Sequence, residues 1–137
     1  MKMQLFNHRF YLCGTTSLKY YRDLFNNYKF DDNIEIVDPL IEVEPKFKNK
    51  PELYDELVQS DLSLLHSCYG LIAKINTYTA GSIGELISAY NSNKLTLLIS
   101  EDEKIINDPW IKHFTKYHFY TCEECIKYLS NTYGNRT

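Results

Sequence analysis

The stretch Thr79-Ala-Gly-Ser-Ile-Gly-Glu-Leu-Ile-Ser-Ala-Tyr-Asn-Ser-Asn-Lys-Leu-Thr-Leu-Leu-Ile-Ser100 reads as a Gly/Ser turn, a short amphipathic helix over 82–92 and a buried strand over 94–100. Glu85 falls in the first turn of that helix, beside Gly81 and Gly84. Free backbone N–H groups and the positive end of the helix dipole favour an ionised carboxylate there. Two readings fit. Ser82-Ile-Gly-Glu85 has the form of a capping box, in which the Glu serves only the helix end. Alternatively, the glycines let a ligand approach the backbone closely, and Glu85 is a carboxylate nucleophile.

The same strand–helix alternation extends in both directions. Arg9–Cys13 reads as a first buried strand ended by Gly14, followed by a polar turn at 15–17. Tyr20, Tyr21, Leu24, Phe25 and Tyr28 recur at helical spacing and predict a helix over 16–28. Asn33–Val37 is a second strand, and 38–50, with Pro39 and Pro45, reads as a loop. Pro51 opens a helix whose buried stripe is Leu53, Leu57, Val58, Leu62 and Leu65. Gly70–Ile75 is a third strand, with a loop at 76–81 after it. Beyond Ser100 come a polar loop, a short helix to about 114, and a strand at His118–Tyr120. Thr121-Cys-Glu-Glu124 has capping-box form and opens a last helix ending near Tyr128 or Leu129. Five such alternations predict an α/β fold: one doubly wound, flavodoxin-like parallel sheet of about five strands with helices on both faces. Ligands then bind beyond the carboxyl ends of the strands, where 14–17, 38–50, 76–82 and 101–110 all fall.

Composition narrows the function classes. A chain of 137 residues with 44% hydrophobic content points to a single globular domain over 1–137. The net charge of −3 and the lack of a dense Lys/Arg block disfavour nucleic acid and anionic membranes as partners. No apolar run approaches the roughly 20 residues of a membrane span, and the amino terminus lacks the apolar centre of a signal peptide. The expected location is cytoplasmic, with all four Cys reduced.

Other residues carry possible chemistry. Asp61 falls on the apolar stripe of its helix, four residues from both Leu57 and Leu65. It is either a satisfied core Asp or a carboxyl aimed into a site with a pKa raised by desolvation. A helix starting at Pro51 would place it roughly 15 Å below the carboxyl edge, which requires a late helix start or a deep pocket. Tyr11 is a core tyrosine or a site hydroxyl, three residues before Gly14. The hydroxyls of Thr15, Thr16, Ser17, Thr79 and Ser82 stand at strand ends, placed for sugar or phosphate oxygens or simply for turns. Cys122-Glu-Glu-Cys125 has the C-x-x-C form of a redox motif, but it lies on the last helix with an acidic dipeptide inside it. No zinc pattern, P-loop or complete G-x-G-x-x-G is present.

Three separated pieces together resemble the nucleoside 2-deoxyribosyltransferase superfamily. They are Tyr11-Leu-Cys-Gly14 at the end of the first strand, Ser60-Asp61-Leu62 in the middle helix, and Gly81-Ser-Ile-Gly-Glu85-Leu-Ile-Ser-Ala89 followed by Lys94 before the next strand. The resemblance implies that Glu85 attacks C1′ of a deoxyribose, that Asp61 bonds the base and passes a proton, and that Tyr11 orients Glu85. It implies substrate contacts from Gly14, Thr15, Thr16, Ser17, Thr79, Gly81 and Ser82. It also implies no cofactor and no metal, a nucleoside or nucleotide ligand, and a homodimer or larger homo-oligomer in which Asn107 or Asp108–His113 reaches a neighbour's pocket. The sequence departs from the family pattern at Tyr69, where many members have Asp. It departs again at Thr79, where free-nucleoside transferases have Asp and the branch hydrolysing deoxynucleoside 5′-monophosphates has a hydroxyl residue. Lys19 and Arg22 are candidate phosphate partners in that branch's chemistry. A non-catalytic nucleotide-binding module is the reading from a different class.

Overall fold

A computed structural model describes residues 8–15 and 18–134. Five parallel strands, β1 (His8–Cys13), β2 (Ile34–Val37), β3 (Gly70–Lys74), β4 (Leu95–Ile99) and β5 (Tyr117–Phe119), form one sheet in the order β2-β1-β3-β4-β5. The helices are α1 (Lys19–Asn27), α2 (Pro39–Glu42), α3 (Tyr54–His66), α4 (Ala80–Asn91), α5 (Glu103–Ile106), α6 (Pro109–Phe114) and α7 (Cys122–Tyr133). The α/β class, the parallel sheet and its five strands match the sequence reading.

Alternation along the strands sorts the core into two layers. Phe10 and Leu12 of β1 join Tyr21 and Phe25 of α1 and Cys125 and Leu129 of α7 on one face. Tyr11 and Cys13 join Leu65 of α3, Leu86 and Ala89 of α4 and Ile111 of α6 on the other. The second layer holds the candidate site, so the side on which Tyr11 points is set by strand parity.

Several boundaries differ from the sequence reading, each for a local reason. The segment 38–50 is not a plain loop. The Asp38 side chain accepts from Leu40 N and caps α2, and a 3₁₀ turn follows at Glu44–Lys46. Pro51–Leu53 is also 3₁₀, so α3 starts at Tyr54 rather than Pro51. Its expected buried stripe is largely open: only Leu65 is fully buried, and Val58 is 55% exposed. α7 runs on to Tyr133, beyond Leu129. There Tyr133 packs in an aromatic cluster with His8, Phe10 and Tyr69. The capping box at Thr121–Glu124 forms as expected.

A buried ion pair ties the carboxyl edge of β1 and β2 together. Arg22 of α1 and Asp38 are 6% and 4% exposed, with Nη1 2.6 Å from Oδ1. Arg22 Nη2 also donates to Gly14 O at 2.7 Å, and Asn26 Nδ2 donates to Asp38 Oδ2 at 2.9 Å. Gly14 has φ +153°, and a Cβ there would sit 3.0 Å from Lys74 O, so the turn needs glycine. Arg22 is therefore not poised as a free phosphate ligand, whereas Lys19 is exposed, in a surface pair with Asp23 at 3.0 Å. Replacing Asp38 with Ala strands a buried guanidinium and should cost about 3–5 kcal/mol. Urea unfolding of Asp38→Ala measures this. A loss under about 1 kcal/mol, typical of a surface ion pair, would mean that the pair is solvated in solution.

Candidate active site between α3 and α4

α3 and α4 both start at the carboxyl edge and descend side by side. Asp61 lies seven residues into α3 and Glu85 five into α4, depths of about 10 and 8 Å at 1.5 Å per residue. This resolves the depth expected of Asp61: the helix begins late, and both carboxyls lie below the rim at similar depth. They line one cavity of about 330 Å³ with Val58, Leu62, Ala80, Gly81, Gly84 and Ser88. Larger hollows of about 570 and 630 Å³ exist, one lined by Tyr69, Lys94 and Lys116 and the other by Glu42, Gln59 and Ser67. Neither includes Glu85, Asp61 or Tyr11. An added Cβ at Gly81 or Gly84 would meet nothing within 4 Å, so both glycines keep the cavity wall open at α4.

Glu85 is not in the first turn, and the Ser82–Glu85 capping box does not form. Thr79 caps α4 instead: its Oγ1 accepts from Ser82 N at 3.3 Å and donates to Ser82 Oγ at 2.9 Å. The helix therefore begins earlier than the reading from 82, and Glu85 lies in its second turn, beyond the free N–H groups. Its partner is the Tyr11 hydroxyl, which donates to Oε2. Burial pushes the Glu85 pKa up, against the expectation of a carboxylate held ionised by the helix end; hydrogen bonds from Tyr11 and Cys13 and the charge of Arg22 pull it back down. Tyr11 is itself buried and its pKa is raised, so it stays a hydrogen-bond donor.

Asp61 is held differently. Oδ1 is buried without a hydrogen-bond partner. Desolvation, then repulsion from Glu85 and Glu44, raises its pKa to about 7, and Arg22 offsets only part of this. Between two carboxyls sharing one site, the proton belongs on the group with fewer donors. Here that is Asp61, while Glu85, served by the Tyr11 hydroxyl, is the anion.

The remaining expected residues are less concentrated. Gly14 and Thr15 follow β1 at the carboxyl edge, while Thr16 and Ser17 lie outside the described residues. Thr79 and Ser82 hydroxyls bond each other in the α4 cap. Asn107 is exposed at the end of α5, bonds Glu103 at 3.1 Å, and does not line the cavity. Trp110 is 69% exposed and stacks on Phe114, so it is not core. Tyr69 precedes β3 at the amino edge, within the His8–Tyr133 aromatic cluster, so its departure from Asp falls at the edge opposite the cavity.

Cys122 and Cys125 are free, buried thiols, and burial raises the pKa of both, which opposes redox nucleophilicity. Among the described residues, no group of three or more His, Cys, Asp or Glu is arranged to hold a metal ion, and no helix is long and apolar enough to cross a membrane. Sequence reading missed Cys13, Arg22 as a site charge, and Glu44. Strand parity places Cys13 beside Tyr11 and was a usable signal. Nothing local marked Glu44.

Because the folded state binds the Asp61 proton more tightly than the unfolded chain does, stability should fall as pH rises from 3.8 toward about 7. Asp61→Asn should flatten that decline and be more stable than the wild type at the upper end. Urea unfolding across this range tests it. A variant-to-wild-type difference that is constant with pH would refute the assignment.

The chain matches no protein-family model and no curated protein. Among solved structures it is similar to a 2-deoxyribosyltransferase from the psychrotolerant bacterium Bacillus psychrosaccharolyticus. The TM-score is 0.67 at 18% identity, over 85% of this chain and 89% of that one. It is also similar to a conserved protein from Enterococcus faecalis V583, with TM-score 0.64, 14% identity, and 88% and 96% coverage. The chain thus has the fold of a 2-deoxyribosyltransferase.

Proposed function

We propose that the protein cleaves the N-glycosidic bond of 2′-deoxynucleosides through a covalent deoxyribosyl ester of Glu85, passing the sugar to another nucleobase or to water. The observation that carries this reading is that Glu85 and Asp61 line one cavity in unlike environments, with Glu85 held from behind the wall by the buried Tyr11 hydroxyl. In the first step a Glu85 oxygen forms a bond to C1′ as the C1′–N bond breaks. The bonding pair leaves on the base nitrogen, and protonated Asp61 supplies its proton. In the second step an acceptor base or a water attacks C1′, the ester C–O bond breaks, Glu85 is regenerated as a carboxylate, and Asp61 takes the acceptor's proton. A group titrating near 7 suits both proton transfers at neutral pH. Tyr11 holds the attacking carboxylate and cannot compete as a base.

Charge favours a free nucleoside over its 5′-monophosphate. No Lys or Arg is among the described residues lining the cavity, Arg22 is committed to Asp38, and Glu44 adds negative potential. A second copy of the chain closing the open cavity, with exposed Trp110 and the segment 108–113 near the contact, remains part of this proposal.

Incubation with deoxynucleosides and deoxynucleoside 5′-monophosphates, with and without a second free base, tests it. Exchange of base indicates transfer, and release of base only to water indicates hydrolysis. Glu85→Ala should abolish both, and Asp61→Asn should lower turnover by about 10²–10⁴-fold. Full activity of Glu85→Ala would remove the nucleophile from the mechanism. Preference for monophosphates would overturn the charge argument, and binding without turnover would favour a nucleotide-binding module.

A further inference from the structure

Three polar side chains are among the described residues lining the cavity: Asp61, Glu85 and Ser88. The first two have roles in the proposed reaction, and Ser88 has none. It lies three residues after Glu85, about 4.5 Å further down α4 and on the same face of the helix. Towards the rim the cavity is walled by Val58, Ala80, Gly81 and Gly84, none of which has a polar side chain. The Ser88 hydroxyl is held in place: its Oγ lies 3.2 Å from His66 Nε2, and the same nitrogen is 3.2 Å from Ser92 Oγ. Ser92, a further turn down, does not line the cavity. A hydroxyl has one donor and two acceptor positions, and a single ring nitrogen satisfies one of them. Ser88 therefore keeps hydrogen-bonding capacity for a molecule in the cavity.

We propose that Ser88 is a specificity-determining residue that hydrogen-bonds an exocyclic amino or oxo group of the base. The inference rests on the proposed function, which puts C1′ at Glu85 and the leaving nitrogen at Asp61. From that level the substrate extends two ways. The deoxyribose carries two hydroxyls that need several partners, which suits the open rim. The base is a flat, largely apolar ring with few edge groups. It suits the lower end, where Leu62 and one hydroxyl are the lining side chains. A hydroxyl both donates and accepts, so Ser88 meets an oxo group as donor and an amino group as acceptor. A purely structural role, joining α4 to His66, would be shared equally by Ser92.

Equilibrium binding to a Glu85→Gln protein, which lacks the nucleophile, tests this without turnover. The probes are 2′-deoxyadenosine, 2′-deoxyinosine and the 2′-deoxyriboside of unsubstituted purine, which has no exocyclic group. Adding Ser88→Ala should raise Kd for the first two by about three- to tenfold, the loss of one neutral hydrogen bond, and leave the third unchanged. Adding Ser92→Ala, which breaks the same kind of contact to His66 outside the cavity, should leave all three unchanged. Equal weakening by Ser88→Ala and Ser92→Ala would reduce Ser88 to a fastener of helices. Equal weakening of all three ligands would move its contact to the sugar. Either result overturns the proposal, as does a Ser88→Ala protein that binds like its parent. In the catalytically intact protein, Ser88→Ala should raise KM for the substituted bases with little change in kcat. Wild-type turnover with unaltered Ser88→Ala binding would keep the proposed function and remove this inference. Nucleoside binding without turnover would remove the reaction and leave the Ser88 contact to stand on the measured constants, and absence of binding would remove both.

Discussion

The carboxyl edge of this sheet depends on the buried pair between Arg22 and Asp38. A guanidinium and a carboxylate out of water each carry a large desolvation cost, which is met only if they find each other and further hydrogen-bond partners. Asp38 meets this with Arg22, Asn26 and the backbone N–H of Leu40, and Arg22 adds the carbonyl of Gly14. The turn after β1, the start of α2 and the face of α1 are therefore held by one charge cluster. Gly14 belongs to it for a steric reason, since a side chain would press on Lys74 O. What looks like a ligand-binding glycine is at least as much a packing glycine.

That cluster also sets the electrostatics of the cavity. Arg22 is the positive charge that lowers both Glu85 and Asp61, and Glu44 opposes it. Because Arg22 is already paired, its field is a fixed background and not a docking point. The two carboxyls then separate by their local donors. Glu85 has the Tyr11 hydroxyl, whereas Asp61 has a buried oxygen with no partner. An unsatisfied buried acceptor in a cavity wall is costly, and protonation of Asp61 relieves it. The pairing of one anion with one acid follows from the number of donors each group meets.

Helix packing makes this arrangement possible. α3 and α4 lie alongside each other without closing their upper interface, because α4 presents Gly81 and Gly84 where larger residues would fill it. Lower down the two helices are fastened. His66 Nε2 lies 3.2 Å from Ser88 Oγ and from Ser92 Oγ, and Lys94 Nζ donates to His66 O at 2.9 Å. The exposed Val58 and the partly buried Leu62 of α3 both line the cavity, which accounts for a hydrophobic stripe that burial alone does not.

Read along the chain, the resemblance of three separated pieces gathered Tyr11, Asp61 and Glu85, each an open alternative on its own pattern, whereas hydrophobic period and punctuation were enough for the order of strands and helices and the parallel sheet. Those signals are local, being strand parity, helical spacing and turn residues, so they survive without tertiary information. Helix starts were less legible. The hydroxyl of Thr79 and not of Ser82 caps α4, and a 3₁₀ turn delays α3 past Pro51, because capping depends on which backbone N–H groups the surrounding fold leaves free. Only the tertiary structure decided that Glu85 bonds Tyr11 and not its own helix end, that Asp61 lies at nearly its depth, and that Arg22 is spent on Asp38. Each of these is a contact between segments distant in sequence, and its energy depends on burial, which no local pattern encodes.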